Sequence, residues 1–424
     1  MGSTSVAQVV LGLAGAIALA VVLAHPRVKA LEDRLGVTVL LSTGLPFLVL
    51  GAVFALPSIR ILTPEVLNDL QPAFEFGLGW IGFVIGIQMD VRRLDALPRT
   101  LGAVIVAESV LPMITTVIFC TAAFAAMTEL LVLDRTIVRD ALVLGACAAP
   151  SAAISVPFLS RRVGERAASM LAEVTLVDEV AGLALLGVCA VVFRPAAAGA
   201  ATWALPSSAW LLVSAGLGVV LGILTYALIR GATSRNEEIA LLLGAVALSA
   251  GMARQLGLSV PVICALAGAM LANLPLRDPD GLRRTLELVE RPLYLVFLLV
   301  VGAYWRPSEW QGWALAPVFV AARAVGKYLG AMLSLRVGPA GLPSPRETAL
   351  ALVPQSPASI VLIVAAAMLY GPGEARVRWA ITAIIVGGVL TELVIRTLQG
   401  GGPSPDESLP ALARFERDRG SGTR

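Results

Sequence analysis

Apolar runs of 16 to 29 residues recur along almost the whole chain, separated by short loops that carry most of the charge. About 20 apolar residues in a helix cross the roughly 30 Å hydrocarbon layer of a bilayer. The runs therefore predict thirteen spans, near 6–24, 36–57, 70–89, 99–127, 137–159, 166–193, 208–231, 237–257, 259–274, 290–305, 310–337, 348–370 and 375–398. None shows the ten-residue alternation of a membrane barrel strand, so the expected class is an all-α polytopic membrane protein. No basic segment precedes the first run, which reads as a retained span and not as a cleaved signal. Residues 1–398 form the transmembrane domain in this reading. Residues 399–424, rich in Gly, Pro and Arg, form a short polar tail expected to be disordered and cytoplasmic, with no soluble regulatory domain.

Composition agrees with the pattern and removes other classes. Of the 424 residues, 57% are hydrophobic and 14% charged, and the mean hydropathy is +0.85. Soluble domains carry about a quarter charged residues. A net charge of +3 is too balanced for a nucleic-acid surface, so the partners expected are the lipid bilayer and small ions, not nucleic acid. The single histidine, His25, excludes a histidine metal site or proton relay. Cys120, Cys147, Cys189 and Cys264 lie in apolar runs without CxxC spacing and read as packing residues. No GxxxxGK[ST] loop is present, and no cofactor is expected.

The basic residues set an orientation. With the N-terminus outside, about 22 of the 32 Lys and Arg fall on the cytoplasmic side and about 8 outside. An outside N-terminus and an inside C-terminus require an odd number of spans, as thirteen is.

Ionisable groups inside hydrocarbon cost a few kcal/mol or more each, so each one needs a reason. The deep ones are Glu75, Glu108, Glu173, Asp178, Glu179, Arg323 and Lys327. Three crowd one run, AEVTLVDEVAGLALL. Asp178 and Glu179 are adjacent, about 100° apart on a helix, so one can face a partner helix while the other faces a cavity. Gly182, one turn on, admits a second helix at close range. Lys327 is one of two lysines among 32 basic residues. Arginine stays charged, whereas a buried lysine can give up its proton, so lysine here suggests a titrating role, with a fixed structural charge as the alternative. Arg323, one turn away on the same face, is expected to pair with another acid. Counted from Arg166 and Arg336, Asp178 lies about 18 Å deep and Lys327 about 14 Å, within one helical turn of each other.

Two runs are broken. GACAAPSAAISVPFLSR holds Pro150 and Pro157; ALVPQSPASIVLIVAA holds Pro354 and Pro357. Their strings PSAAISV and SPASIVL resemble each other, and Ser151, Gln355 and Ser356 cluster at the breaks. Each interior proline removes a backbone hydrogen bond. Paired broken helices in two halves of a membrane protein point to a transporter site between inverted repeats, where freed carbonyls can ligate a cation. Two unrelated proline kinks are the alternative.

At these residues the chain resembles the cation/proton antiporter superfamily, nearest its bacterial branch of Kef-type and sodium/proton members. The resemblance covers roughly 36–395. It rests on GLGWIGFVIGIQMDVRRL at 77–94, VDEVAGL at 177–183, LSVPVICALAGAMLANLPLR with ERPLYLVFLLVVGA, and ARAVGKYLG at 322–330. It implies a 13-span inverted-repeat fold with two crossed, interrupted helices near 150–157 and 354–357, a homodimer, and exchange of Na⁺, K⁺ or Li⁺ for protons. By resemblance Asp178 is the acid that pairs with Lys327, and Glu179 the main carrier of cation and proton. Glu173 resembles an upstream acid of electroneutral relatives, offset by one residue. Glu179 stands where the family usually has Asp, Pro150-Ser151 where it has Thr-Ser, and PQSP where a glycine-containing stretch is usual.

The function expected is therefore not enzymatic. It is secondary exchange of a monovalent cation for protons in an inner or plasma membrane. Asp178 and Glu179 hold the cation, Lys327 with Asp178 forms a switchable ion pair, and Ser151, Arg323, Glu173, Gln355 and Ser356 support them. Lys327 is the expected proton carrier of an electrogenic cycle. An ion channel, an organic-solute symporter on a related fold and a non-transporting module are the rivals.

Overall fold

The computed structural model describes residues 45–56, 59, 61–95, 97–128, 134–152, 164–195, 205–276, 279–339 and 341–399. Its helices are α1 (Leu45–Phe54), α2 (Pro64–Asp69), α3 (Gln71–Ile87), α4 (Val91–Asp95), α5 (Arg99–Thr128), α6 (Arg135–Ala148), α7 (Glu165–Val192) and α8 (Ser207–Arg230). They continue as α9 (Arg235–Gln255), α10 (Val260–Ala272), α11 (Pro279–Tyr304), α12 (Trp310–Val337), α13 (Pro345–Leu352), α14 (Ala358–Tyr370) and α15 (Ala375–Gln399). No strand occurs among the described residues, where one isolated antiparallel bridge pairs Ser151 with Gln355.

The chain is all-helical, as its apolar runs predict. From α3 onward the runs coincide with helices to within a few residues, apart from the fifth, whose helix α6 ends at Ala148, and two further informative exceptions. The tenth run was expected from residue 290, but α11 begins at Pro279. Its first turns are amphipathic: Leu282 and Leu286 are buried, and the Leu286 carbonyl accepts a bond from the Trp80 indole at 3.2 Å. A search for continuous apolar length overlooks a segment that buries only one face. The twelfth run is two helices, α13 and α14, parted at the prolines. The first run, most of the second before Leu45, Pro157 with the rest of the fifth run after Ala152, and the tail beyond 399 lie outside the described residues.

Among the described residues, five helices are each long and apolar enough to cross a membrane: α5, α7 from Arg166, α8, α9 and α12. α3, α10, α14 and the part of α11 from Pro292 are apolar but shorter. Helix starts are set by side chains that replace missing backbone partners. Asp134 accepts the Thr136 amide at 3.2 Å to open α6, and Ser344 with Glu347 forms a reciprocal cap on α13. α5 packs along α12, α3 along α10 and α1 along α11. α6, α7 and α13 pack on the α5–α12 pair and α14 packs on α6 and α7, bringing the two broken runs together.

Candidate ion-binding site

The breaks meet as a short antiparallel crossing. The Ala152 amide donates to the Pro354 carbonyl at 2.9 Å, and the Ser356 amide to the Pro150 carbonyl at 3.4 Å. The carbonyl ends of α6 and α13 point into this crossing, where helix dipoles concentrate negative potential. Two cations from α12 answer it. Arg323 donates to the carbonyls of Val353 (3.0 Å), Pro150 (2.8 Å), Leu352 (3.1 Å), Pro354 (3.1 Å) and Ala148. Lys327 donates to the carbonyls of Glu108 at 2.9 Å and Ala149 at 3.0 Å. The Ser359 hydroxyl takes the Cys147 carbonyl at 2.8 Å.

One sequence expectation changes here. Arg323 was expected to pair with an acid; its fork instead binds five carbonyls, because the prolines leave acceptors that a guanidinium fits. The carbonyls at the breaks, which the sequence offers as possible cation ligands, accept from protein donors in this state at 147–150 and 352–354.

The carboxylates come from the middle of α7. Asp178 is fully buried, with Oδ2 3.2 Å from Lys327 Nζ and Oδ1 accepting the Ser151 amide at 3.2 Å. The closeness of α7 to α6 depends on Gly182, where an added Cβ would sit 2.7 Å from the Ala146 carbonyl, itself left without its helical donor by Pro150. Glu179, turned aside from Asp178 and partly buried, accepts the Ser356 hydroxyl, whose oxygen also takes the Ala358 amide at 3.2 Å. Gln355 brings a side-chain amide whose oxygen and nitrogen are buried without a hydrogen-bond partner. Glu173 lies about 7.5 Å of helical rise from Asp178 on α7 and is partly buried. The structure thus gathers Asp178, Glu179, Lys327, Arg323, Ser151, Gln355 and Ser356 around one crossing, with Glu173 further along the helix. The donor set for a cation is oxygen only, which suits a hard ion.

A model of the family described as sodium/hydrogen exchanger, transmembrane, matches residues 4–398. The chain belongs to the sodium/hydrogen exchanger family. The exchanger is also similar in structure to the sodium proton antiporter MjNhaP1 from Methanocaldococcus jannaschii, at a TM-score of 0.61 and 16% identity. That likeness covers 93% of this chain and 98% of the other, and it shows the antiporter fold. No curated protein matches the exchanger. It is a multi-pass membrane protein that exchanges a monovalent cation for protons, and family and fold favour this over the channel and the solute symporter.

Two charged groups of the exchanger escaped the reading of its sequence as site or structural partners. Glu75 is held by Arg254 at 3.2 Å and Gln71 at 2.9 Å, lining a cleft of about 320 Å³ between α3, α9, α10 and α14. Asp140, buried near the start of α6, binds Arg139 and Arg376, each at 2.7 Å, and Arg139 reaches Glu374 at 3.3 Å. Each set includes an ion pair between residues more than 170 positions apart in sequence, Glu75 with Arg254 and Asp140 with Arg376, beyond the reach of local spacing.

Proposed function

We propose that Asp178 and Glu179 form the shared binding site for the transported cation and protons, and that Lys327 is the counter-ion the cation displaces. The observation that carries this reading is the fully buried Lys327–Asp178 contact at the crossing of the two breaks, with Glu179 one residue on. In the resting state the ammonium neutralises Asp178. A cation entering beside Glu179 competes for the same carboxylate oxygens, and an ammonium stripped of its partner in a low-dielectric site is costly. Charge must then leave the site as a proton. Cation and proton thus exclude each other, and alternating exposure to the two sides makes that exclusion an exchange.

Sodium is the cation we assign first, supported by the family match; K⁺ and Li⁺ are the competitors. The exchange is electrogenic if the displaced proton adds to those of the carboxylate pair. The reading places the protein in a cell inner or plasma membrane with the N-terminus outside and the C-terminus inside, as a homodimer. No cofactor enters the cycle, and the energy comes from the ion gradients without an enzymatic step. The test is the purified protein in proteoliposomes with a trapped pH dye, given Na⁺, K⁺ and Li⁺ in turn. Dequenching by at least one ion is expected, and its absence in Glu179→Gln. Ion-driven proton movement by a folded Glu179→Gln protein defeats the site assignment.

A further inference from the structure

The strongest unused feature of the interior is Glu108. It lies on α5, fully buried, and neither carboxyl oxygen has a hydrogen-bond partner. Its side chain rests against α12 at Gly330, where an added Cβ would be 3.0 Å from both Cδ and Oε2. Gly330 is one turn from Lys327, whose ammonium already holds the Glu108 backbone carbonyl at 2.9 Å. The charged groups that face Glu108 are Lys327 and Arg323 from α12 and Asp178 from α7; α6, also packed on α5, adds none among the described residues. Arg323 is committed to five carbonyls, so Lys327 is the cation free to change partners.

We propose that Glu108 is the second counter-ion of Lys327 and the group that gives up the extra proton when the cation arrives. While Lys327 sits on Asp178, a carboxylate at Glu108 would be a buried charge without a donor, so the group holds its proton. When the cation takes Asp178 and Glu179, Lys327 stays an ammonium and turns toward Glu108. The Glu108 O–H bond breaks, the proton leaves to water on the side open to the site, and the carboxylate pairs with the ammonium. One cation enters and one Glu108 proton leaves, with no change in the charge on Lys327. A small residue at 330 leaves the carboxyl beside Lys327; a Cβ there would crowd it. This step rests on the assignment of the cation to Asp178 and Glu179.

Proton release on cation addition tests it directly, using the purified full-length exchanger in weakly buffered detergent with a pH indicator and Na⁺ as the probe. Protons released per bound Na⁺ should fall by about one in Glu108→Gln. They should be restored in Glu108→Asp, which returns an ionisable carboxyl to that position. Thermal unfolding of each variant establishes that it is folded, and Glu108→Ala, which also lacks the proton, carries the test if the amide variant does not fold. Wild-type release in folded Glu108→Gln or Glu108→Ala overturns the proposal and returns the proton to Lys327. Release by Glu179→Gln on Na⁺ addition defeats the cation site itself, a separate outcome.

Discussion

Lys327 spends its three ammonium hydrogens on three oxygens, two carbonyls and the Asp178 carboxylate. That arrangement is satisfied only as a set. Removing the lysine strands a fully buried carboxylate, a loss of about 3–5 kcal/mol for a broken buried pair. Lys327→Ala should therefore lower the unfolding midpoint clearly, and the double variant Lys327→Ala with Asp178→Asn should recover part of it. Equal midpoints for the single and double variants would show that the pair adds nothing to stability. Glu179 differs: it is partly exposed and accepts the Ser356 hydroxyl. Glu179→Gln keeps its shape and one acceptor, so the midpoint should move little while ion-driven proton flux disappears. Glu179→Asp shortens the reach and should retain exchange with an altered order among Na⁺, K⁺ and Li⁺, read from dye dequenching with each ion. The identities of these residues were legible in sequence because a charge in an apolar run is conspicuous. Their partners were legible only where depth along two helices matched, as for Asp178 and Lys327. Arg323 was misassigned because its acceptors are backbone atoms exposed by prolines on two other helices, and a sequence read for charge does not display carbonyls.

The broken helices are where element and site become one problem. A proline in a span leaves a carbonyl without its donor, and hydrocarbon offers no water to replace it. Here the replacement comes from α12, whose Arg323 ties the ends of α6 and α13 into one unit. Arg323→Ala removes the donor from the Ala148, Leu352 and Val353 carbonyls at once. Each buried carbonyl left unpaired costs about 1–3 kcal/mol, so roughly 3–5 kcal/mol or more should be lost. Arg323→Lys, with three donors on a narrower head, should fall between Ala and wild type in unfolding midpoint. An Arg323→Ala protein as stable as wild type would mean that the breaks hold themselves together. The sequence showed that both breaks exist, since prolines mark them. That they cross, through Ser151 and Gln355, depends on packing between segments about 200 residues apart, which the echo of PSAAISV and SPASIVL only suggests.

For the whole molecule, the direction of transport depends on which ends of the helices face the cytoplasm. Helix geometry is indifferent to this, so the basic residues must decide it. Of 32 Lys and Arg, about 22 fall on one side when the chain is threaded through thirteen spans, and Arg323 and Lys327 count for neither because they lie inside α12. The assignment is sensitive to the short elements. If α10 did not cross, every later loop would change sides, and the basic residues after it would fall outside. A span of 13 helical residues is about 20 Å long, shorter than the hydrocarbon layer, and needs its flanking turns and neighbours to reach across. α10 has such support: it is packed along α3, and Asn273 at its end bonds the Met89 carbonyl and the Val91 amide beyond α3, each at 2.8 Å. The two helix ends are therefore held at one level, as expected of neighbours that both cross. Single cysteines test this against a quiet background, because the four native cysteines are buried. Ser308→Cys, between α11 and α12, should be labelled by an impermeant thiol reagent added outside intact cells, and Arg284→Cys, on the first turns of α11, should be protected until the membrane is opened. The reverse pattern would place the basic side outside and invert the orientation; labelling of both sites in intact cells would mean that α11 does not cross between them.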